Sequence, residues 1–220
     1  MEEMKKPWVQ IAIDAVDLEK AQKLASMAVA AGADWIEAGT PLITFQSVKA
    51  IGVLVRACPG KPILADFKAQ DGVAKYFKEA GRQGAKIATV LGVVANGSVK
   101  AAVREGKESG VQVVADMYSV PREILARRAK ELQGLGVDYL MIHLGFDESK
   151  DEPGKHATDG LEEVVEAVQI PVGVGTFTVE EAVEAIRKGA SFVVQGEPLL
   201  SDANAEKKLR DFIEAVRSAV

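Results

Sequence analysis

The sequence predicts an α/β chain folded as one (β/α)8 TIM barrel, and three observations carry that expectation. Short apolar runs rich in β-branched residues alternate eight times with longer stretches of helical spacing. Several of the short runs are apolar almost throughout, as parallel strands covered by helices are. Finally, Gly32-Ala33-Asp34, Gly84-Ala85-Lys86, Gly136-Val137-Asp138 and Gly189-Ala190-Ser191 each stand between a helical stretch and the next strand. Their glycines recur at intervals of 52, 52 and 53 residues, about two βα units each time, which reads as a fourfold quarter-barrel repeat. Eight units in 220 residues suit a closed barrel better than an open sheet.

The units follow in order. Strand 9–14 opens the series with Val9 and Ile11 and closes on Asp14; helix 18–31 follows, ended by Gly32. Strand 35–39 carries Trp35, Ile36 and Glu37 and leads to helix 47–57, which stops before Pro59-Gly60. Strand 63–66 ends on Asp66, before helix 73–83. Strand 87–91 and helix 98–109 make the fourth unit, strand 112–117 and helix 121–135 the fifth. Strand 139–143 ends on His143, and a charged loop over 146–160 separates it from helix 161–167. Strand 171–174 with helix 179–188 and strand 192–195 with helix 206–220 complete the set. Neither a Pro/Ser-rich linker nor a charge block interrupts it, so a single domain over 1–220 is expected.

Composition narrows the function. The net charge of −5 argues against nucleic acid as a partner, because phosphate-backbone binding needs a concentrated basic face. One cysteine, Cys58, excludes an internal disulfide framework and a multi-cysteine metal cluster, and two histidines exclude an all-histidine zinc site. Residues 1–6 hold no apolar signal-peptide core, and no apolar run approaches the roughly 18 residues of a membrane helix. A cytoplasmic protein without membrane contact is expected. Cys58, with no basic neighbour, reads as structural, and Trp8 and Trp35 as packing residues.

Chemistry in such a barrel sits at the C-terminal strand ends. The polar residues there are Asp14, Glu37, Asp66 with Lys68, Thr89, Asp116, His143 and Gln195. Strand alternation turns Asp66 and Lys68 to the same side, and Asp71 follows at the turn into the next helix. A carboxylate beside an ammonium keeps both ionised, a fixed array suited to a metal or a developing oxyanion. It also fits an ordinary ion pair with Asp71 as a helix N-cap. Asp14 and Glu37, acids on the two preceding strand ends, favour the site. His143 suits proton transfer, against the alternative of a hydrogen-bonded core histidine. His156, in a charged loop, reads as a surface residue.

Asp66-Phe67-Lys68-Ala69-Gln70-Asp71 resembles the D-x-K-x-x-D signature of the orotidine 5′-phosphate decarboxylase superfamily. With Ile36-Glu37-Ala38-Gly39-Thr40-Pro41-Leu42-Ile43, Ala88-Thr89-Val90-Leu91-Gly92-Val93 and His143-Leu144-Gly145-Phe146-Asp147, the chain is most similar there to the 3-hexulose-6-phosphate synthase family. The resemblance implies a lyase that joins formaldehyde to D-ribulose 5-phosphate through a Mg2+-stabilised enediolate. It implies Glu37 and Asp66 as Mg2+ ligands, Lys68 facing the oxyanion and Asp14 orienting it. It further implies His143 as the proton carrier and a homodimer in which Asp71 reaches the neighbouring site. Thr89, Asp116, Gly175, Thr176 and Gly196 fall at the substrate and phosphate positions. Gly145 favours the synthase over the sister family, 3-keto-L-gulonate 6-phosphate decarboxylase.

The match departs in four places. Strand seven is followed by Gly175-Thr176-Phe177-Thr178 instead of a glycine pair. Strand eight is followed by Gly196-Glu197, which sets a carboxylate where a phosphate is expected. Asp116-Met117-Tyr118-Ser119 and the loop 146–160 also differ from the family pattern. Three readings stay open: the synthase, a sibling with an altered substrate, and a catalytically idle barrel serving as a binding or assembly subunit.

Overall fold

The computed structural model describes residues 7–220. Its eight strands are β1 (Trp8–Ile13), β2 (Trp35–Ala38), β3 (Ile63–Ala69), β4 (Ile87–Leu91), β5 (Gln112–Asp116), β6 (Tyr139–Ile142), β7 (Val172–Thr176) and β8 (Phe192–Gln195). All neighbours pair in parallel, and β8 returns to β1, closing the barrel. The helices are α1 (Leu18–Ala31), α2 (Thr40–Gln46), α3 (Lys49–Ala57), α4 (Val73–Gln83), α5 (Asn96–Ser109), α6 (Leu125–Leu135), α7 (Phe146–Asp151), α8 (Leu161–Ala167), α9 (Val179–Arg187) and α10 (Ala205–Arg217). Among the described residues, no helix is long and apolar enough to cross a membrane.

Strand alternation sorts the side chains into two cores. Along β1, Val9, Ile11 and Ile13 face the helices and join the large outer core, whereas Ala12 belongs to the barrel interior. The interior is an aromatic plug. Trp35 packs edge-on against Tyr139 at a centroid distance of 5.2 Å and lies 5.3 Å from Phe192, with Leu64, Ile87 and Val114 filling the remainder. Gly173 admits the plug: a β-carbon there would overlap the Phe192 ring. The barrel is therefore a packed core and not a pore, and its polar residues stand above the plug at the C-terminal rim.

The four repeat glycines, Gly32, Gly84, Gly136 and Gly189, all have φ between 91° and 104°, the left-handed conformation that lets a helix turn back into the next strand. Four elements differ from the expected pattern, one being α7, a helix inside the stretch 146–160 expected as a charged loop. Helix α2 forms immediately after β2, with Pro41 in its first turn where proline needs no N–H donor. The stretch 121–135 begins as a single 3-10 turn, Arg122–Ile124, before α6. Strand β3 continues past Asp66 to Ala69, with its register against β4 shifting between Ala65 and Ala69.

Candidate active site

Every strand from β1 to β6 delivers a polar side chain to the rim. Asp14 follows β1, Glu37 lies in β2, Asp66 and Lys68 in β3, Thr89 in β4, Asp116 ends β5 and His143 follows β6. Above the plug is a cavity of about 600 Å³ lined by Asp14, Glu37, Asp66, Lys68, His143 and the turns after β7 and β8.

Lys68 reaches Asp66 through an irregularity and not through plain alternation. The bulge in β3 leaves Lys68 at φ 44°, a conformation that costs a non-glycine residue on the order of 1 kcal/mol. Its backbone N–H donates to Thr89 Oγ1 at 2.9 Å, which holds the bulge. Its ammonium then meets the Asp66 carboxylate, with Thr40 Oγ1 at 3.3 Å and Asp116 Oδ2 at 3.7 Å. Asp66 is fixed from both sides, by the Thr89 hydroxyl at 2.8 Å and the Thr40 hydroxyl at 2.6 Å. The Thr89 hydroxyl, placed by sequence among substrate contacts, is thus engaged within the protein and buried behind the cavity wall.

A second unit joins His143 and Asp116. His143 Nδ1 lies 3.0 Å from both Asp116 oxygens, and Tyr118 N–H donates to Oδ1 at 2.9 Å. An ionised carboxylate only accepts, so Nδ1 carries the hydrogen and Nε2 is left for the cavity. Asp116 is wholly buried and does not line the cavity: it orients His143. The Tyr118 ring lies 5.4 Å from the imidazole and closes on Gly145, where a β-carbon would come within 2.5 Å of Tyr118 Cε2. Gly39 serves Asp14 in the same way, since a β-carbon there would collide with the Asp14 carboxylate.

The electrostatics follow from acids outnumbering bases. Burial pushes the Glu37 carboxyl well above the usual range, and the Asp66 and Asp14 charges push it further, against Lys68 and the Gln10 amide. Asp14 is raised by burial and then by Asp66. Burial alone would lower Lys68, but Asp66, Asp116 and Glu37 hold it above its ordinary value, so it stays an ammonium. Burial would also lower His143, and the Asp116 charge raises it instead. Burial opposes ionisation of Asp116, yet His143, Lys68 and the Tyr118 N–H keep its carboxyl below the ordinary value.

At the far side, Gly175, Thr176, Gly196 and Glu197 line the cavity. The Thr176 hydroxyl donates to the Val194 carbonyl at 3.1 Å and lies 3.3 Å from Gln195 Oε1, so it is directed into the chain. Gln195 itself is fully buried and off the cavity wall. Asp71 is exposed outside the cavity, and Gly72, not Asp71, occupies the N-cap position of α4. His156 is an exposed loop residue and Cys58 a buried one at the end of α3, its thiol raised by burial. Sequence reasoning passed over Thr40 and Tyr118. Both sit inside motifs that were read, but nothing in their type marked them as supports.

A family model described as the orotidine 5′-phosphate decarboxylase / HUMPS family matches residues 7–212. The chain belongs to that family. Within it, 3-hexulose-6-phosphate synthase 2 of Staphylococcus saprophyticus is 31% identical over 216 residues, covering 94% of this chain and 97% of the relative. The crystal structure of 3-hexulose-6-phosphate synthase from Salmonella typhimurium superposes with a TM-score of 0.89 at 27% identity, covering 97% of this chain and 100% of the other. A 3-keto-L-gulonate-6-phosphate decarboxylase from Vibrio cholerae shares the fold, with a TM-score of 0.81 at 22% identity over 98% of this chain and 97% of that one. The family's barrel thus extends over nearly the whole length of this chain.

Proposed function

We propose that this protein is an aldehyde-lyase of the 3-hexulose-6-phosphate synthase type, condensing formaldehyde with D-ribulose 5-phosphate to D-arabino-hex-3-ulose 6-phosphate through an enediolate. The observation that carries the reading is the convergence of the Lys68–Asp66 pair, the His143–Asp116 pair, Asp14 and Glu37 on one cavity. Burying these acids in a rim served by so few cations is costly, and packing alone gives no reason for it.

Glu37 and Asp66 fit a divalent cation. They offer hard carboxylate oxygens from adjacent strands, and among the described residues Glu37 is answered by only the Gln10 amide and the more distant Lys68. Mg2+ is commonly held by one or two carboxylates with water and substrate completing its shell. When bound there, it would supply positive charge beside the enediolate oxygens.

The chain's own residues do the rest. His143 Nε2 moves a proton at the reacting carbon while Asp116 holds the ring in the required tautomer. The Lys68 ammonium faces the oxyanion that develops as the C–H proton leaves. The enediolate carbon then attacks the formaldehyde carbon, and the new alkoxide takes up a proton. Asp14 accepts from ketose hydroxyls and holds the Lys68 end of the array. Asp71, exposed beside the rim, completes the site of the second subunit in a homodimer.

The test is formaldehyde consumption with D-ribulose 5-phosphate and Mg2+, beside Lys68→Ala. Turnover in the wild type that falls at least about a thousandfold in the variant supports the assignment. Equal rates in both proteins would overturn it. A second reading keeps the same machinery but gives it a ketose with a different far end, and Glu197 on the cavity wall is what favours it.

A further inference from the structure

The proton transfer assigned to His143 uses Asp116 and leaves Tyr118, at the same strand end, without a task. The imidazole needs more than Asp116 to be held. Nδ1 lies 3.0 Å from both carboxylate oxygens, so its hydrogen is shared between them. A shared bond fixes where Nδ1 sits but permits the ring to swing about that end. Nε2, farther from the pivot, is the atom such a swing displaces. A general base must stand within hydrogen-bond reach of its proton, and a misplacement of about 1 Å can cost a hundredfold in rate.

The Tyr118 ring and strand β7 border the imidazole. The Tyr118 ring centroid lies 5.4 Å away at an interplanar angle of 54°. At β7, a β-carbon on Gly175 would stand 3.7 Å from His143 Cδ2, an ordinary contact distance. Tyr118 is itself anchored. Its N–H donates to Asp116 Oδ1 at 2.9 Å, so one carboxylate holds both residues. The Met117 N–H donates to the Met141 carbonyl at 2.8 Å and the Val120 N–H to the Met117 carbonyl at 3.0 Å, pinning the chain on either side. Gly145 is the backstop: a β-carbon there would come within 2.5 Å of Tyr118 Cε2, so the ring rests on bare backbone. The hydroxyl has no hydrogen-bond partner among the described residues, so what Tyr118 gives His143 it gives through the ring.

We infer that Tyr118 is a positioning residue for the proton transfer: its ring, set between Gly145 and His143, holds the imidazole so that Nε2 stays aimed into the cavity. This rests on the reading above, in which Nε2 moves the proton at the reacting carbon. It also gives Gly145 a task, to admit the ring at its present place.

The experiment compares the wild type with Tyr118→Ala, Tyr118→Phe, Gly145→Ala and the double variant of Tyr118→Ala with Gly145→Ala. NMR relaxation of the imidazole C–H bonds, recorded without substrate, reads the mobility of the His143 ring, with the exposed His156 as internal standard. Turnover of formaldehyde and D-ribulose 5-phosphate with Mg2+ gives kcat and KM. Tyr118→Ala is expected to lower the His143 order parameter from roughly 0.85 to below about 0.6, leaving His156 as it is. It should lower kcat about a hundredfold with KM little changed. Tyr118→Phe restores both. Gly145→Ala displaces the ring and copies Tyr118→Ala, and it costs nothing further once the ring is gone. An unchanged His143 order parameter in Tyr118→Ala overturns the assignment, as does a loss in Tyr118→Phe equal to that in Tyr118→Ala. Should Tyr118→Ala fail to fold, Tyr118→Leu takes its place in both measurements. Wild-type turnover that Tyr118→Ala does not slow would keep the aldolase and discard the positioning role. The expected change in mobility without turnover in any protein would keep the hold on His143 and discard the aldolase.

Discussion

Asp116 never touches the cavity, yet it governs how His143 behaves there. It raises the imidazole against the effect of burial, so Asp116→Asn should let His143 fall to a lower pKa. The limb of the pH–rate profile that belongs to His143 then moves to lower pH, and kcat drops by roughly 10²-fold or more. Stability shows the same pair from another side. His143 is raised from 6.5, so its contribution is full below that value and is lost as pH climbs through the folded-state value. Asp116 is lowered from 3.8, so its contribution is present above that value and is lost on acidification. The melting temperature lost in Asp116→Asn should therefore be largest near pH 5 to 6 and shrink by about pH 8.5; a constant loss across that range would contradict the pairing. The acids and bases of the site were legible from their strand-end positions. Their supports were not: Thr40 and Tyr118 gain meaning only from which side chain they reach across the rim, and Thr89 was legible by its strand-end position but not by its role of holding Asp66.

At the scale of elements, α9 depends on its first turn. Thr178→Ala removes the hydroxyl half of the capping box, and about 1 kcal/mol of stability should go with it, read as a lower urea midpoint with an unchanged slope. A loss under about 0.3 kcal/mol would mean that the Glu181 carboxylate alone holds the turn. The long elements were readable because apolar periodicity extends over two or more turns, as in α1 and α5. Helix α2 escaped because seven residues give too short a period, and α7 because Asp147, Glu148, Lys150 and Asp151 show no apolar stripe. Strand β3 was read as ending at Asp66. The expectation that Asp66 and Lys68 share a side was met in effect, although the bulge at Lys68 brings them together where regular alternation was assumed.

For the whole molecule, the eightfold alternation and the glycine interval were enough to specify a closed barrel, since each glycine takes the left-handed turn the repeat requires. What one chain cannot reveal is a residue that acts on another. Asp71 lies exposed outside its own cavity, and the proposed homodimer makes a sharp demand of it. Asp71→Ala and Lys68→Ala, each inactive alone, should recover about a quarter of wild-type activity when mixed and allowed to exchange subunits, because half the dimers are mixed and each holds one intact site. Mixtures that stay silent while exchange is demonstrated by mass would place Asp71 outside the chemistry.

The aromatic plug has a bearing on traffic. Trp35, Tyr139 and Phe192 turn the barrel from a tube into a well, so whatever reacts at Lys68 arrives and departs over the same rim. The two reactants of the proposed condensation would share that opening, and the product would have to clear it before the next pair descends. Phe146 and Phe177 stand at this opening with ring centroids 6.3 Å apart. Variants that alter throughput without altering chemistry belong there, and none need be sought beneath the floor.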